Sequence, residues 1–341
     1  MGKLITSKVH PKIQGFTLVE LMISLSVGLV LFAGVMSIFV GMRTTTAETS
    51  SYGELQENGR FAISVLTDDL LRQNFWGDLS GTFSQSSLIA IPGAPGTDCV
   101  GAGVNNGTFP QNIGPFRTLW GQTHTGIADN PLSCFSMPEG TRTMTGSDVI
   151  QLKRVIANPI VAPAVTIAGN YYLSSNLTTG AVFAHGSPVP SVDNSRLWQY
   201  QHHVYYVREE PVGDNFVPVL MQGRLANFNM SFSPVIDGIE KIRFMYGVDT
   251  TTDPSLPGYG VVDAFISANN MTQAFWDNAG GSRILAVKIF VLARGIRQDN
   301  KYTNTNTYQL GDLPFAVNDN YRRLLFSSTV TLYNSSVDAW Q

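Results

Sequence analysis

The chain has 341 residues, of which 43% are hydrophobic and 14% are charged, and its formal net charge is −3. That length is enough for a sizeable core and two globular lobes, which excludes a small module held together only by disulfides. The charged fraction lies below the roughly 25% of ordinary soluble proteins, and no basic patch suited to nucleic acid is present.

An uncharged run near the N-terminus is long enough to cross a membrane. It extends from Leu21 to Met42 and contains no Asp, Glu, Lys or Arg. As a helix it covers ~33 Å, and the hydrocarbon layer of a bilayer is ~30 Å thick. The leader before it, residues 1–15, carries three lysines and no acid. Because positive flanks stay on the cytoplasmic side, we expect the rest of the chain to be exported.

The position of Gly15 distinguishes this segment from an ordinary secretory signal. A secretory signal places its small-residue cleavage site after the apolar run, whereas Gly15 precedes the run. The sequence GFTLVELMIS, which starts at Gly15, resembles the type IV prepilin signature closely. The resemblance implies cleavage between Gly15 and Phe16, N-methylation of Phe16, and an assembly role for Glu20.

Glu20 also needs a physical explanation, because a carboxylate within an apolar segment costs about 3 kcal/mol on insertion scales. Cleavage after Gly15 would create an ammonium group at Phe16, one turn away from Glu20 on the same helix. The same ammonium would be available to Glu20 of a neighbouring subunit. The alternative is a carboxylate that only interacts favourably with the positive end of the helix dipole.

The pattern of a long helix continues beyond the apolar run. No proline occurs between Phe16 and Pro92, and Leu55, Ala62, Leu66 and Leu70 form a stripe at helical spacing. The sequence therefore predicts a helix over residues 16–74 whose second half supports a globular domain. Its glycines weaken the helix, and they either let other helices approach closely or are simply tolerated. On its outer side, Asp68 and Arg72 are spaced to form an ion pair.

From Phe75 onward, short apolar runs alternate with clusters of Gly, Ser, Pro and Asn, which is typical of β-structure with long loops. Strands are predicted at residues 147–156, 204–207, 227–233, 242–246, 283–294 and 330–332. In the strand at 227–233, Phe228, Met230 and Phe232 should share a face. The prediction is an α+β fold, in which the long helix packs on an antiparallel body with lobes at residues 75–195 and 196–341.

The cysteine content agrees with export. Cys99 and Cys134 are the only two cysteines, and in an oxidising compartment the simplest interpretation is one disulfide between them. A bridge closing a loop of about 36 residues contributes roughly 3 to 4 kcal/mol on the chain-entropy model.

The similarity to type IV pilins extends along the chain. Five segments resemble the PilW family of type IV minor pilins; they lie at residues 55–77, 147–154, 237–250, 283–295 and 330–334. Two positions depart from the related patterns: Ser37 stands where many major pilins have a helix-bending proline, and Asp78 stands where PilW proteins often have cysteine. The second departure puts the family's disulfide connectivity in doubt for this chain.

Patterns for catalysis or metal binding are weak. The glycines from Gly101 to Gly107 miss the dinucleotide-binding spacing and indicate a turn. His202 and His203 are neighbours on a strand, so their side chains face opposite ways and suit a structural role better than a metal site. Asp249, Asp253 and Asp263 are an alternative as a calcium site, but their spacing lacks the alternate ligands of an EF-hand. We expect no cofactor and no enzymatic activity.

The resulting hypothesis is a minor pilin that takes part in priming type IV pilus assembly at the pilus tip. The resemblance implies as partners other minor pilins, the major pilin, the prepilin peptidase and the inner-membrane assembly platform, and it links the chain to adhesion and twitching motility. The protein would reside in the bacterial inner membrane with its body in the periplasm, and then in the pilus. A type II secretion pseudopilin and a membrane-anchored adhesin, ligand-binding protein or enzyme are the alternatives.

Overall fold

The computed structural model describes residues 15–161, 166–213 and 215–335. The predicted leader, apart from Gly15, therefore lies outside the described residues. The chain divides into two compact units, Met1–Gly53 and Glu54–Gln341. Helix α1 extends over Leu18–Leu71, close to the predicted residues 16–74. Its continuity agrees with the lack of proline in this part of the sequence.

The body from Glu54 onward is mostly antiparallel β-structure, as predicted. Its strands are β1 (Leu88–Ala90), β2 (Leu119–Thr123), β3 (Arg142–Thr143), β4 (Asp148–Val155), β5 (Tyr171–Ser175), β6 (Gly180–Ala184), β7 (Arg196–Val212), β8 (Asn215–Ala226), β9 (Asn229–Asp237), β10 (Ile239–Asp249), β11 (Ala264–Ser267), β12 (Arg283–Arg294), β13 (Thr307–Leu310), β14 (Leu313–Ala316) and β15 (Arg323–Thr331). A short helix, α2 (Gln273–Trp276), lies between β11 and β12. Over the described ranges these strands form sheets of nine, four and two strands.

Strand β7 connects the parts of the nine-stranded sheet. Its first residues pair with β5, its middle with β4, and its last part with β8. Strands from both sides of residue 195 therefore lie in one sheet, and this position does not separate two sheets. One pairing departs from the antiparallel pattern, since β1 and β6 run parallel.

The four-stranded sheet has the order β11-β10-β12-β15. Strand β12 begins and ends where its nearly continuous apolar run predicts, and β10 is buried along its whole length. Strand β10 is covered on two faces along its length and β12 over most of its length, which explains why apolar residues occupy consecutive positions. One hydrophobic core joins residues of both sheets to the predicted helix stripe of Leu55, Ala62, Leu66 and Leu70.

The prediction for Phe228 is wrong. Asn227 and Phe228 have φ angles of 51° and 59° and form the turn between β8 and β9, so Phe228 does not belong to the strand face that buries Met230. A two-residue hairpin turn matches the twist of its strands when both central residues adopt a left-handed backbone. The alternating sequence hid this turn because it contains an aromatic residue instead of glycine.

Two cysteine-related expectations have clear structural outcomes. Cys99 and Cys134 are joined by a disulfide. Asp78, which stands where the related pattern often has cysteine, accepts a hydrogen bond from Arg196 Nε at 2.6 Å. An ion pair therefore links this position to the start of β7.

Candidate processing and assembly site

Thr17 caps the start of α1 and holds the carboxylate of Glu20. The backbone N–H and the hydroxyl of Thr17 each donate to Glu20 Oε2 at 2.9 Å. In return, the backbone N–H of Glu20 donates to Thr17 Oγ1 at 3.3 Å. This reciprocal arrangement is a capping box, which satisfies N–H groups that have no partner within the helix. We missed this role for Thr17, although the Thr-x-x-Glu spacing is typical of such a cap.

The Gly15–Phe16 bond lies just before the capped helix. Gly15 is exposed, and 82% of Phe16 is accessible to solvent. Beyond the two chain neighbours of Gly15, no described residue has an atom within 4 Å of a Cβ atom placed there. Nothing in the fold of the described residues therefore requires glycine at this position.

The first part of α1 presents an apolar surface. Helix α1 is long and apolar enough to cross a membrane, by length and composition. Every described residue from Leu18 to Met42 is exposed. Water would solvate such a surface at a large free-energy cost, so a surface of this kind marks a site of contact with lipid or with other proteins. A long apolar helix that follows a prepilin-type sequence supports membrane anchoring.

The second part of α1 is built into the body. A Cβ atom at Gly59 would lie 2.0 Å from Cε2 of Phe326, so the ring of Phe326 occupies the space that a side chain would need. The side chain of Asn58 donates to the backbone oxygen of Asp237 at 3.1 Å. Glycine at position 59 thus serves close packing of α1 against β15, which the sequence did not reveal.

Asp69 is a buried carboxylate that links α1 to the nine-stranded sheet. Its Oδ1 accepts from Arg154 Nε at 2.9 Å, while its Oδ2 contacts His203 Nδ1 at 2.5 Å and accepts from the Tyr205 hydroxyl at 2.9 Å. Burial opposes ionisation, but the charges and hydrogen bonds of His203 and Arg154 outweigh it and hold the pKa of Asp69 well below its usual range. The side chain therefore remains a carboxylate and fixes the helix to β4 and β7.

His202 and His203 face opposite sides of β7, as predicted. His202 Nδ1 lies 2.8 Å from the Thr108 hydroxyl, and its Nε2 lies 3.1 Å from the side-chain oxygen of Gln151. Burial keeps the pKa of His202 well below its usual value, so its ring is neutral. The two histidines take part in separate hydrogen-bond networks.

The three aspartates considered for calcium bind nearby backbone groups. Asp249 accepts from the N–H groups of Thr251 and Gly260, each at 2.8 Å. Asp253 accepts from Ser255 N–H at 2.9 Å, and Asp263 accepts from Thr250 N–H at 2.8 Å. In the part of the chain that the structure describes, no three His, Cys, Asp or Glu side chains are grouped as a metal site requires.

Two family descriptions match the chain. The prokaryotic N-terminal methylation motif matches residues 10–36, and the family of type IV pilus-assembly protein W, PilW, matches residues 204–334. Residues 204–334 are therefore similar to the PilW family. No curated protein and no solved structure matches the chain.

The two matches fall on the first part of α1 and on the β-rich body. The methylation motif covers the Gly15–Phe16 bond, the Thr17–Glu20 cap and the first part of α1. The PilW match runs from β7 to just beyond β15, and it includes three of the five resembling segments, at residues 237–250, 283–295 and 330–334. The chain is therefore a pilin-like protein of the type IV pilus class.

Proposed function

We propose that this protein is a minor pilin of the PilW family that takes part in priming pilus assembly at the tip. It is inserted in the bacterial inner membrane as a precursor, with its leader in the cytoplasm and its body in the periplasm. The prepilin peptidase cuts the chain between Gly15 and Phe16, and Phe16 is N-methylated. Helix α1 then joins other minor pilins and the major pilin through the assembly platform, and the body reaches the cell surface in the pilus.

The observation that carries the proposal is the occurrence of a prepilin motif and a PilW body on one chain. Helix α1 begins at the motif, and its last turns contribute to the core of the body. A type II secretion pseudopilin would share the motif, but the match of the body to a pilus-assembly family favours the pilus. In this role the chain turns over no substrate, and the peptidase supplies the chemistry.

The geometry around Gly15 supports processing by an external enzyme. The bond after Gly15 is exposed, and the fold leaves space for a larger residue at that position. A requirement for glycine therefore comes from the enzyme that binds this segment. Hydrolysis of the bond releases the leader and leaves a new amine at Phe16, which is protonated at neutral pH because α-amino groups have pKa values near ~8.

Glu20 is the residue through which we infer docking. In the uncut chain Oε2 of its exposed carboxylate accepts two hydrogen bonds from Thr17, so the cap holds the carboxylate at the start of the helix. Cleavage adds a cation to the same end of the helix. Within an apolar bundle of helices, this cation and the Glu20 carboxylate of an adjacent subunit attract each other strongly, because the surroundings have a low dielectric constant.

The test is the substitution Glu20→Gln, which keeps the size and the hydrogen-bonding oxygen of the side chain but removes its charge. We expect the variant to be inserted and cut normally, and its recovery with other pilins from membranes and sheared filaments to fall about tenfold or more, since truncating a buried charge pair costs at least ~2 kcal/mol. Glu57→Gln, at an exposed position of the same helix, is the control and should behave as wild type. Normal recovery of Glu20→Gln would contradict docking through this carboxylate.

A further inference from the structure

Strand β15 forms an edge of the four-stranded sheet and is regular along its whole length. Among the described residues it pairs with β12 alone, from Arg323 opposite Arg294 to Thr331 opposite Ala286, with no break in register. It contains no proline and no bulge. Edge strands of this kind are rare in isolated proteins, because their free backbone groups can pair with a strand of another chain.

The hydrogen-bond pattern shows which residues face the free edge. At the two ends of the register, the N–H of Leu332 donates to Leu285 O, and the N–H of Gly295 donates to Arg322 O. In an antiparallel pair, successive residues alternate between bonding to the neighbouring strand and pointing away from it. The even-numbered residues of β15 therefore bond to β12, and the backbone groups of Leu325, Ser327, Thr329 and Thr331 point outward.

These outward-pointing groups are open to solvent. Leu325 is 37% exposed, and Ser327, Thr329 and Thr331 are also exposed. Within residues 15–161, 166–213 and 215–335, no atom accepts a hydrogen bond from the backbone N–H of any of the four. Four donors in a row, two residues apart, match the spacing of the acceptors on an added strand.

The edge of the nine-stranded sheet formed by β9 is constructed differently. Its pairing with β8 contains a register shift, and Pro234 lies within it. The N–H of Met230 already donates to Thr97 O. A bulge, a proline and a loop that covers the edge are the usual protections against strand addition. The same chain thus protects β9 and leaves β15 open.

The surroundings of β15 define the chemistry of a partner. Residues 324–335 contain no Asp, Glu, Lys or Arg. On the face that packs into the body, Phe326 contacts α1 at Gly59 and Val330 is buried. The outer face carries Leu325 and the small side chains of Ser327, Thr329 and Thr331. From Leu324 to Thr331 the edge strand itself carries no charge, and the nearest cation on the outer face is Lys288 of β12, opposite Thr329. An uncharged extended segment therefore fits this stretch of the edge.

We propose that the free edge of β15 binds an extended, uncharged segment of another pilin subunit as a fifth strand of the four-stranded sheet. Main-chain hydrogen bonds to Leu325, Ser327, Thr329 and Thr331 hold the segment, as in other cases of strand addition. This inference rests on the proposed function for its choice of partner, and it adds a contact of the body to the docking of α1.

The first test places a photo-crosslinking amino acid at Thr329 of the full-length chain in cells that assemble pili, and the same amino acid at Ser231 of β9 as a matched control. We expect crosslinks from position 329 to one peptide of another pilin subunit, at least about tenfold more abundant than those from position 231, because an added strand would lie against residue 329 whereas the β9 edge is protected against strand addition. No crosslink, equal crosslinking from both edges, or a crosslink only to a second copy would overturn the proposal.

The second test compares Ser327→Pro with Ser327→Ala. Proline removes the outward N–H of residue 327, whereas alanine keeps it. Because this N–H has no acceptor among the described residues, the unfolding temperature of Ser327→Pro should lie within a few degrees of that of the wild type. Recovery of other pilins with Ser327→Pro should fall about tenfold and stay normal with Ser327→Ala. If Ser327→Pro does not fold, the crosslinks from position 329, in a chain that keeps Ser327, test the proposal on their own.

The outcomes separate the two proposals. If the unaltered chain recovers no other pilin, the proposed function fails. If it recovers other pilins, and both Ser327 variants recover them equally well, the function stands and the role of β15 is wrong.

Discussion

At the scale of single residues, Asp69 connects α1 to both β4 and β7. Its two oxygens contact Arg154, His203 and Tyr205, so removal of its charge leaves buried donors without an ionised acceptor. We expect Asp69→Asn to lower the free energy of unfolding of the body by about 3 kcal/mol. Thermal and urea unfolding of the full-length chain in detergent, followed by tryptophan fluorescence, measures the change.

The adjacent residue supplies the control for Asp69. Asp68 forms an ion pair with Arg72 at 2.6 Å, but both side chains are more than half exposed. Exposed ion pairs contribute little to stability. Asp68→Asn should therefore unfold like the wild-type chain, and a similar loss for both variants would contradict the role assigned to Asp69.

His124 makes the stability of the body depend on pH. It is buried beside Phe135 and Tyr206, and neither ring nitrogen has a hydrogen-bond partner in the described part of the chain. Burial lowers the pKa of His124 to about 4, against a small opposing effect of Asp129. Because the folded pKa lies below the unfolded value, the contribution of neutral His124 is complete above about pH 6.5 and is lost as the pH falls towards 4.

We therefore expect His124→Leu to flatten the pH dependence of stability by about 2 to 3 kcal/mol between pH 6.5 and pH 4. Burial raises the pKa of Asp148 to about 6. As the pH falls through part of this window, protonation of Asp148 therefore increases stability, whereas protonation of His124 decreases it. A comparison of wild type with His124→Leu, by urea unfolding at a series of pH values, removes the contribution of Asp148. Parallel curves for the two proteins would show that His124 does not titrate on unfolding in this range.

At the scale of elements, two glycines of α1 should respond oppositely to alanine. Alanine favours a helix by ~1 kcal/mol over glycine. At Gly59, however, the new Cβ would lie 2.0 Å from the ring of Phe326, and overpacking of this kind costs about 1 to 3 kcal/mol. We expect Gly59→Ala to lower the unfolding temperature of the body. The measurement is thermal unfolding followed by tryptophan fluorescence.

Gly53 is the matched control, because beyond its chain neighbours and the backbone of α1 no described residue has an atom within 4 Å of a Cβ there. Gly53→Ala should leave the unfolding temperature of the body unchanged or raise it slightly. If Gly59→Ala were equally harmless, the packing of Phe326 against α1 would not limit the residue at position 59.

The elements with strong periodicity could be predicted from the sequence. The stripe from Leu55 to Leu70 identified the buried face of α1, and the apolar run of β12 gave both ends of that strand. The start of β15 was missed, since its alternation of small polar and apolar residues is weak. The turn at Phe228 was missed because its left-handed backbone leaves no glycine signal in the sequence.

At the scale of the whole molecule, the sequence predicted the order of signal, helix and β-rich body but not the pairing of its strands. The 17 residues of β7 pair with strands from both sides of residue 195. Such long-range pairing is not encoded in local periodicity. The functional residues show the same contrast. Gly15, Phe16 and Glu20 could be identified as a sequence motif, whereas the free edge of β15 is visible only in the register of the folded sheet.

The most direct test of the account is the N-terminal sequence and mass of the protein from membranes and sheared filaments, in cells with and without prepilin peptidase. The account predicts a start at N-methylated Phe16 with the peptidase, an intact leader without it, and sparse amounts of the protein in the filaments. An intact Met1 in both strains, or cleavage beyond Met42, would contradict it and would reduce the opening segment to an anchor or an export signal.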